Sequence, residues 1–329
     1  MSSRVIESFP SPVIVAPMAG GPTTPALVRA ADAAGSFSAL ALGTSPMNVV
    51  AQQLDAMEGA CFGLNLFHPQ PPLTKEQWAA AQVISDEEGV ALDHVDYTFG
   101  WHEKIALALA HDNRPAVIWS MFGTFGDEEI KRLHEAGIEA WTTVTTAADA
   151  LVAARRGVDV LCVQGADAGG HRGTWTIEEE PDWRPLRELV ADVHAALEAE
   201  GFAIPLIAAG GVRDYADVEE ALSWPGVTKV SCGSAFLLAE EAGTSESNRE
   251  LIASGGETVS TRALSGRYAR GLATDYTRTH PDMAPIYPHL SPLLKARRAE
   301  KDPAVAYCLV GVEPERLGGG SVAEILQRL

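Results

Sequence analysis

Apolar positions along this chain come in short continuous runs rather than in alternation with polar ones. Eight stretches of four to six residues read this way, 13–16, 38–42, 61–66, 116–121, 139–144, 158–163, 204–209 and 229–232; most are mainly apolar, while 139–144 and 229–232 are half polar. Runs of that length, bounded by Gly, Pro and polar residues, read as strands buried on both faces, the pattern of a parallel sheet. Helical stretches separate them. Residues 25–34 stop at Gly35, 46–57 and 74–88 follow, then 101–110, a helix capped by Asp127 and ending at Gly137, 147–156, 184–200 and 215–222.

Successive strands begin 25, 23, 55, 23, 19, 46 and 25 residues apart. Five of these gaps have the length of a minimal strand–helix unit, and two are stretched. Eight alternating units predict an α/β fold of the closed eight-stranded parallel TIM-barrel type, with a doubly wound open sheet as the alternative. The two long gaps place insertions after strands three and six, over part of the barrel mouth. From about residue 246 the chain looks helical in pieces, broken at 280–281, 287–288 and 318–320. No linker divides it, so residues 1–329 read as a single domain: barrel about 10–240, insertion about 67–113, helical tail about 246–329.

The sixth strand runs into a loop of unusual composition, Gln164-Gly-Ala-Asp-Ala-Gly169-Gly170-His171-Arg-Gly173. Its glycines let the backbone approach a flat or phosphorylated ligand closely. It also lies at the carboxyl end of a buried strand, where α/β proteins put their ligands. His171 is the candidate catalytic group, the plainer alternative being a tight turn that carries a surface histidine. Gly210-Gly211 and Gly233-Ser234 follow strands seven and eight, where barrels bind phosphate on backbone N–H groups; the competing reading is that each pair merely turns the chain. No G-x-G-x-x-G follows the first strand and no G-x-x-x-x-G-K-[ST] occurs, which removes support from dinucleotide and triphosphate readings.

Composition narrows the partners. With 25 basic and 44 acidic residues the net charge is −19, which argues against nucleic acid and anionic membrane as partners. Four scattered cysteines without a C-x-x-C pair suit reduced thiols. No apolar run reaches the ~18 residues of a membrane span, and the N-terminus lacks the apolar core of a signal peptide, so a cytoplasmic protein is expected. Asp93, His94, Asp96 and His102 are irregularly spaced and read as a solvated loop rather than a metal site. Trp119, Trp141 and Trp175 read as packing or as walls of a substrate site. Arg262, Arg267, Arg270 and Arg278 read as a salt-bridged tail or as phosphate contacts.

The segments V-Q-G-A-D-A-G-G-H-R-G, A-P-M-A-G, F-G-L-N-L, I-A-A-G-G-V, C-G-S-A-F and S-G-R-Y-A-R-G-L together resemble the nitronate monooxygenase family, once called 2-nitropropane dioxygenases, over about residues 10–275. The resemblance implies a flavin mononucleotide (FMN) barrel. Ala16, Pro17 and Met18 would lie against the isoalloxazine, Asn65 and Gln164 near its polar edge, and Gly169 beside it. Gly210, Gly211, Gly233 and Ser234 would take the phosphate, with Gly170 and Thr143 also on the cofactor and His171 as the catalytic histidine. The implied reaction is oxidation of small alkyl nitronates by dioxygen to a carbonyl compound and nitrite. The alternative is an NAD(P)H-dependent flavin reductase acting on a quinone or enoyl-thioester. A homodimer is left open. Three departures bear on the substrate: Asp167 where glutamate is more usual, no lysine beside Thr143 and Thr145, and no tryptophan-glycine pattern in 309–317.

Overall fold

A computed structural model describes residues 3–329. The first two residues of the N-terminal segment read above lie outside the described residues. Eight parallel strands close into a barrel: β1 (Val13–Val15), β2 (Phe37–Ala41), β3 (Gly63–Phe67), β4 (Val117–Met121), β5 (Glu139–Val144), β6 (Val160–Gln164), β8 (Leu206–Ala209) and β9 (Val227–Cys232). Between β6 and β8 lies a two-residue strand outside the barrel, β7 (Gly170–His171). The barrel closes where β1 pairs with β9, Ile14 opposite Ser231.

Strands β3, β5 and β6 are buried along their whole length, and the polar residues they carry, Asn65, Thr142 and Thr143 among them, are hydrogen-bonded inside. Ile14, Phe37, Trp119, Trp141, Val160 and Ile207 fill the barrel interior, while Leu40, Leu64, Ile118, Leu161 and Ala208 pack outward against the helices. Buried charge at the amino-terminal end is satisfied. Glu139 accepts from Ser3 Oγ (2.6 Å), Val5 N (3.1 Å) and Trp141 Nε1 (3.0 Å), and Lys229 Nζ donates to the carbonyls of Phe9 (3.0 Å) and Ser11 (2.7 Å).

The insertion after β3 holds helices Lys75–Glu88 and Trp101–Ala110; Thr74 and Gln77 form a capping box on the first, and Gly89 ends it at φ 64°. Asp127 is the first residue of its helix rather than the cap; Gly126 takes the cap position and gives its N–H to Glu129 (2.8 Å). The tail is helical only in part. Residues Thr258–Thr261 (β10) and Ala269–Leu272 (β11) pair antiparallel, and β11 continues onto β7 with Ala269 opposite His171. Nothing local announces that pairing, because its partner lies about a hundred residues earlier in the chain. All four cysteines are free; Cys162, Cys232 and Cys308 are buried, and Cys61, just ahead of β3, is exposed. Among the described residues no helix is long and apolar enough to cross a membrane.

Candidate active site

A cavity of about 770 Å³ opens at the carboxyl ends of the barrel strands. All thirteen site residues expected from the sequence line it. Ala16, Pro17 and Met18 follow β1. Asn65, Thr143 and Gln164 project from β3, β5 and β6. Gly169, Gly170 and His171 come from the loop after β6, and Gly210, Gly211, Gly233 and Ser234 from the turns after β8 and β9.

The two glycine turns form a cradle. Gly210 and Gly211 sit at φ 113° and 76°, a region that favours glycine. The N–H groups of Gly211, Gly233 and Ser234 find no acceptor in the described chain. Ser234 Oγ accepts from Gly311 N (2.8 Å), which leaves its own hydrogen for a ligand. A Cβ on Gly169 would come within 2.5 Å of Gly311 N and 2.9 Å of Ser234 Oγ, so the tail and the β6 loop meet here with no room for a side chain. Convergent unpaired N–H donors fit a phosphate, and the Asp167 carboxylate stands at the edge of this cradle, beside Gly211. The nearby cation, Arg213, is held by Asp217 (3.2 Å) and Glu313.

Gln164 organises the histidine loop from below. Its Nε2 donates to the carbonyl of His171 (3.0 Å), and its Oε1 accepts from Gly173 N (2.8 Å). Asn65 Nδ2 donates to the Trp119 carbonyl (3.0 Å), and Trp119 Nε1 donates to Thr143 Oγ1 (3.0 Å). These side chains are therefore pre-set by the barrel floor. Trp119 lines that floor, Trp141 packs beneath it, and Trp175 donates to the Thr143 carbonyl from outside the cavity (3.4 Å).

His171 presents one edge of its ring to the cavity. Its Nε2 lies 2.8 Å from Ser265 Oγ, and the ring packs edge-to-face against Phe122 and Tyr287, with centroids at 5.9 and 5.2 Å. Phe122 (φ 69°) and Phe99 (φ 52°) both adopt the left-handed region, rare for aromatic residues, and with Phe67 and Tyr287 they form the apolar wall beside the histidine. Arg267 is fully buried, 3.9 Å above the Phe122 ring, and donates to the Thr174 carbonyl (2.5 Å) and Gln70 Oε1 (2.5 Å).

Sequence reasoning missed the aromatic wall, Ser265, the role of Arg267 and the return of residues 309–312 over the site. The segment S-G-R-Y-A-R-G-L held the signal for two of these. None of the four arginines lines the cavity: Arg262 lies over the Tyr268 ring, Arg270 donates to the Ala166 carbonyl (3.0 Å), and of the four only Arg278 makes ion pairs among the described residues, with Glu257 and Asp275. Asp93, His94, Asp96 and His102 do not converge. His94 stacks on Trp78, Asp96 accepts from Thr98, and His102 pairs with Glu129.

A model of the nitronate monooxygenase family matches residues 2–302 of the chain. The chain belongs to that family. A probable nitronate monooxygenase of Bacillus subtilis is 30% identical over 88% of this chain and 85% of its own length. A nitronate monooxygenase of Paraburkholderia phytofirmans is 31% identical over 82% and 76%. The crystal structure of a nitroalkane oxidase from Streptomyces ansochromogenes superposes with a TM-score of 0.86 at 29% identity, covering 99% of this chain and 96% of that one. Nitronate monooxygenases are flavin-dependent, and this chain is an oxidoreductase of that family.

Burial, reinforced by the Arg267 guanidinium, pushes His171 from about 6.5 down to about 3. The imidazole is therefore neutral throughout the usual working range. An unfolded chain binds that proton from about pH 6.5 downward, so this group removes stability as the pH falls below 6.5 and ceases to do so below about 3. The expected result is a His171 ring resonance that stays constant between pH 5 and 8. A midpoint near 6.5 for His171 would show the ring to be solvated.

Proposed function

We propose that this family member is an FMN-dependent oxidase of small alkyl nitronates, consuming dioxygen and releasing a carbonyl compound and nitrite. The supporting observation is one cavity that joins a glycine cradle suited to a phosphate with a neutral, anchored imidazole beside an apolar wall. Bound FMN would supply the electron acceptor and the site of reaction with dioxygen. In this reading the Gly210-Gly211 and Gly233-Ser234 N–H groups hold its phosphate, Ala16, Pro17 and Met18 face its ring, and Asn65, Thr143, Gln164, Gly169 and Gly170 complete the binding surface. Phe67, Phe99, Phe122 and Tyr287 exclude water from the substrate's carbon chain and hold its nitro end toward His171.

A nitronate is already deprotonated at carbon and needs no base; a neutral nitroalkane does, and His171 is the group placed to take that proton. Barrel (about 10–240), insertion (about 67–113) and tail (about 246–329) would act as one FMN-binding domain, at work in the reducing cytoplasm that its free thiols suit.

The test is anaerobic mixing of the yellow protein with an alkyl nitronate and, separately, with NADH and NADPH. Flavin bleaching by the nitronate and the release of FMN on denaturation are expected. Rapid bleaching by a nicotinamide with none by nitronate would replace this reading with the reductase.

A further inference from the structure

The hydrogen bonds around His171 determine which of its two ring nitrogens can act, if His171 is the group that meets the substrate. Nε2 lies 2.8 Å from Ser265 Oγ. That contact alone is ambiguous, since either atom could donate. The ambiguity is removed one step further out. Ser265 is fully buried, and its hydroxyl donates to the backbone carbonyl of Arg267 at 3.2 Å. The described chain offers that carbonyl no other donor. Arg267 is itself fully buried, so turning the Ser265 hydrogen toward His171 would strand a buried carbonyl oxygen. With its one hydrogen committed, Ser265 Oγ can only accept from the ring.

The other nitrogen, Nδ1, has no partner among the described residues. It is also absent from the polar atoms that are both fully enclosed and unpartnered, so it is in contact with open space, and the cavity is the space that His171 lines. Several contacts restrain the ring against exchanging the two. The main chain of His171 is pinned by the Gln164 side chain and by pairing with Ala269, and the ring packs edge-on in a triangle with those of Phe122 and Tyr287.

We propose that Ser265 is a positioning residue that holds His171 as the Nε2-protonated tautomer, so that Nδ1, with a free lone pair, is the atom that faces the substrate. The hydrogen bond made by one ring nitrogen decides the protonation of the other. The consequence is specific. Nδ1 can take a proton from the carbon of a neutral nitroalkane: the C–H bond breaks, its electron pair moves onto the nitro group, and the new Nδ1–H bond then donates to a nitronate oxygen. Toward a preformed nitronate the same neutral Nδ1 has no hydrogen to offer. The arrangement extends the proposed nitronate oxidation to substrates that arrive protonated at carbon.

The experiment is nitrogen-15 NMR of the protein as purified, labelled at histidine, with His171→Asn used to assign the resonances. A pyrrole-like Nε2 and a pyridine-like Nδ1 for His171 are expected at neutral pH. Ser265→Ala should mix or invert the two signals and lower the ratio of nitroalkane to nitronate turnover by at least about tenfold, within the ~10²–10⁴ that general-base help supplies. Ser265→Thr, which restores the hydroxyl, should recover both. A pyridine-like Nε2 in the wild type would overturn the assignment, as would a turnover ratio in Ser265→Ala equal to that of the wild type. The spectrum does not depend on turnover, so its failure is distinguishable from failure of the functional reading, which His171→Asn tests directly.

Discussion

His171→Asn should lose ~10²–10⁴ in turnover of a neutral nitroalkane, the range that a general base contributes. On the corresponding nitronate it should lose less than about tenfold. The asymmetry follows from the chemistry of the two substrates and from the state of the ring. The nitroalkane must give up a carbon proton, and the imidazole, kept neutral by burial and Arg267, is ready to receive it without first losing one. Asparagine fits the space and keeps a hydrogen-bonding amide near Ser265 but accepts no proton. Steady-state rates on nitroalkane and nitronate, measured on one preparation with equal flavin content, give the comparison. Equal losses on both substrates would reduce His171 to an orienting group, and full activity on both would remove it from the site.

Gly211→Asp is expected to empty the flavin site while the barrel stays folded. Gly211 sits at φ 76°, and a Cβ there would lie 3.2 Å from Asp167 Cβ and 3.4 Å from Asp167 Oδ2. The new carboxylate would therefore stand beside an existing one, at the mouth of a cradle whose free N–H groups suit an anion. Two like charges about 4 Å apart repel by about 4 kcal/mol at an effective dielectric of 20. A repulsion of that size toward a bound phosphate is close to a thousandfold in affinity. Gly211→Ala is the control: it carries the left-handed backbone cost of ~1–2 kcal/mol but no charge, and should keep most of its flavin. Flavin released on denaturation, read beside the thermal midpoint of each variant, separates site loss from unfolding. A yellow Gly211→Asp protein with wild-type flavin content would take the phosphate away from this turn.

The regular parts of the site and the chemistry that crosses the fold differ in how far the sequence reveals them. Phosphate candidates were legible because Gly210-Gly211 and Gly233-Ser234 each follow a strand directly, so that their place at the barrel mouth depends only on counting strands. The Gln164 to Gly173 loop was legible for the same reason, as a glycine cluster at a strand end. Strand limits moved by one or two residues, as with β6, read at 158–163 and found at Val160–Gln164. Asp127 was misread as a cap because Gly126, which has no capping side chain, holds the extended cap backbone and takes Glu129 as its partner.

What the sequence by itself determined was an α/β fold with eight strand–helix units, mainly apolar strands at a spacing that favours a barrel over an open doubly wound sheet, and the pairing of β1 with β9 closed it. The sequence also placed thirteen residues at one end of that barrel, since strand polarity puts every strand-end loop on the same side. Only the tertiary structure decided the surroundings of His171. Ser265 and Arg267 lie 94 and 96 residues further along and arrive through the pairing of β11 with β7. Phe99, Phe122 and Tyr287 come from three other segments, two of them in a backbone conformation that no local pattern announces. The state of the imidazole, neutral and anchored through one nitrogen, depends on burial and on a cation brought from the tail. Such properties belong to a neighbourhood assembled from distant segments, and they exist only once the chain has closed on itself.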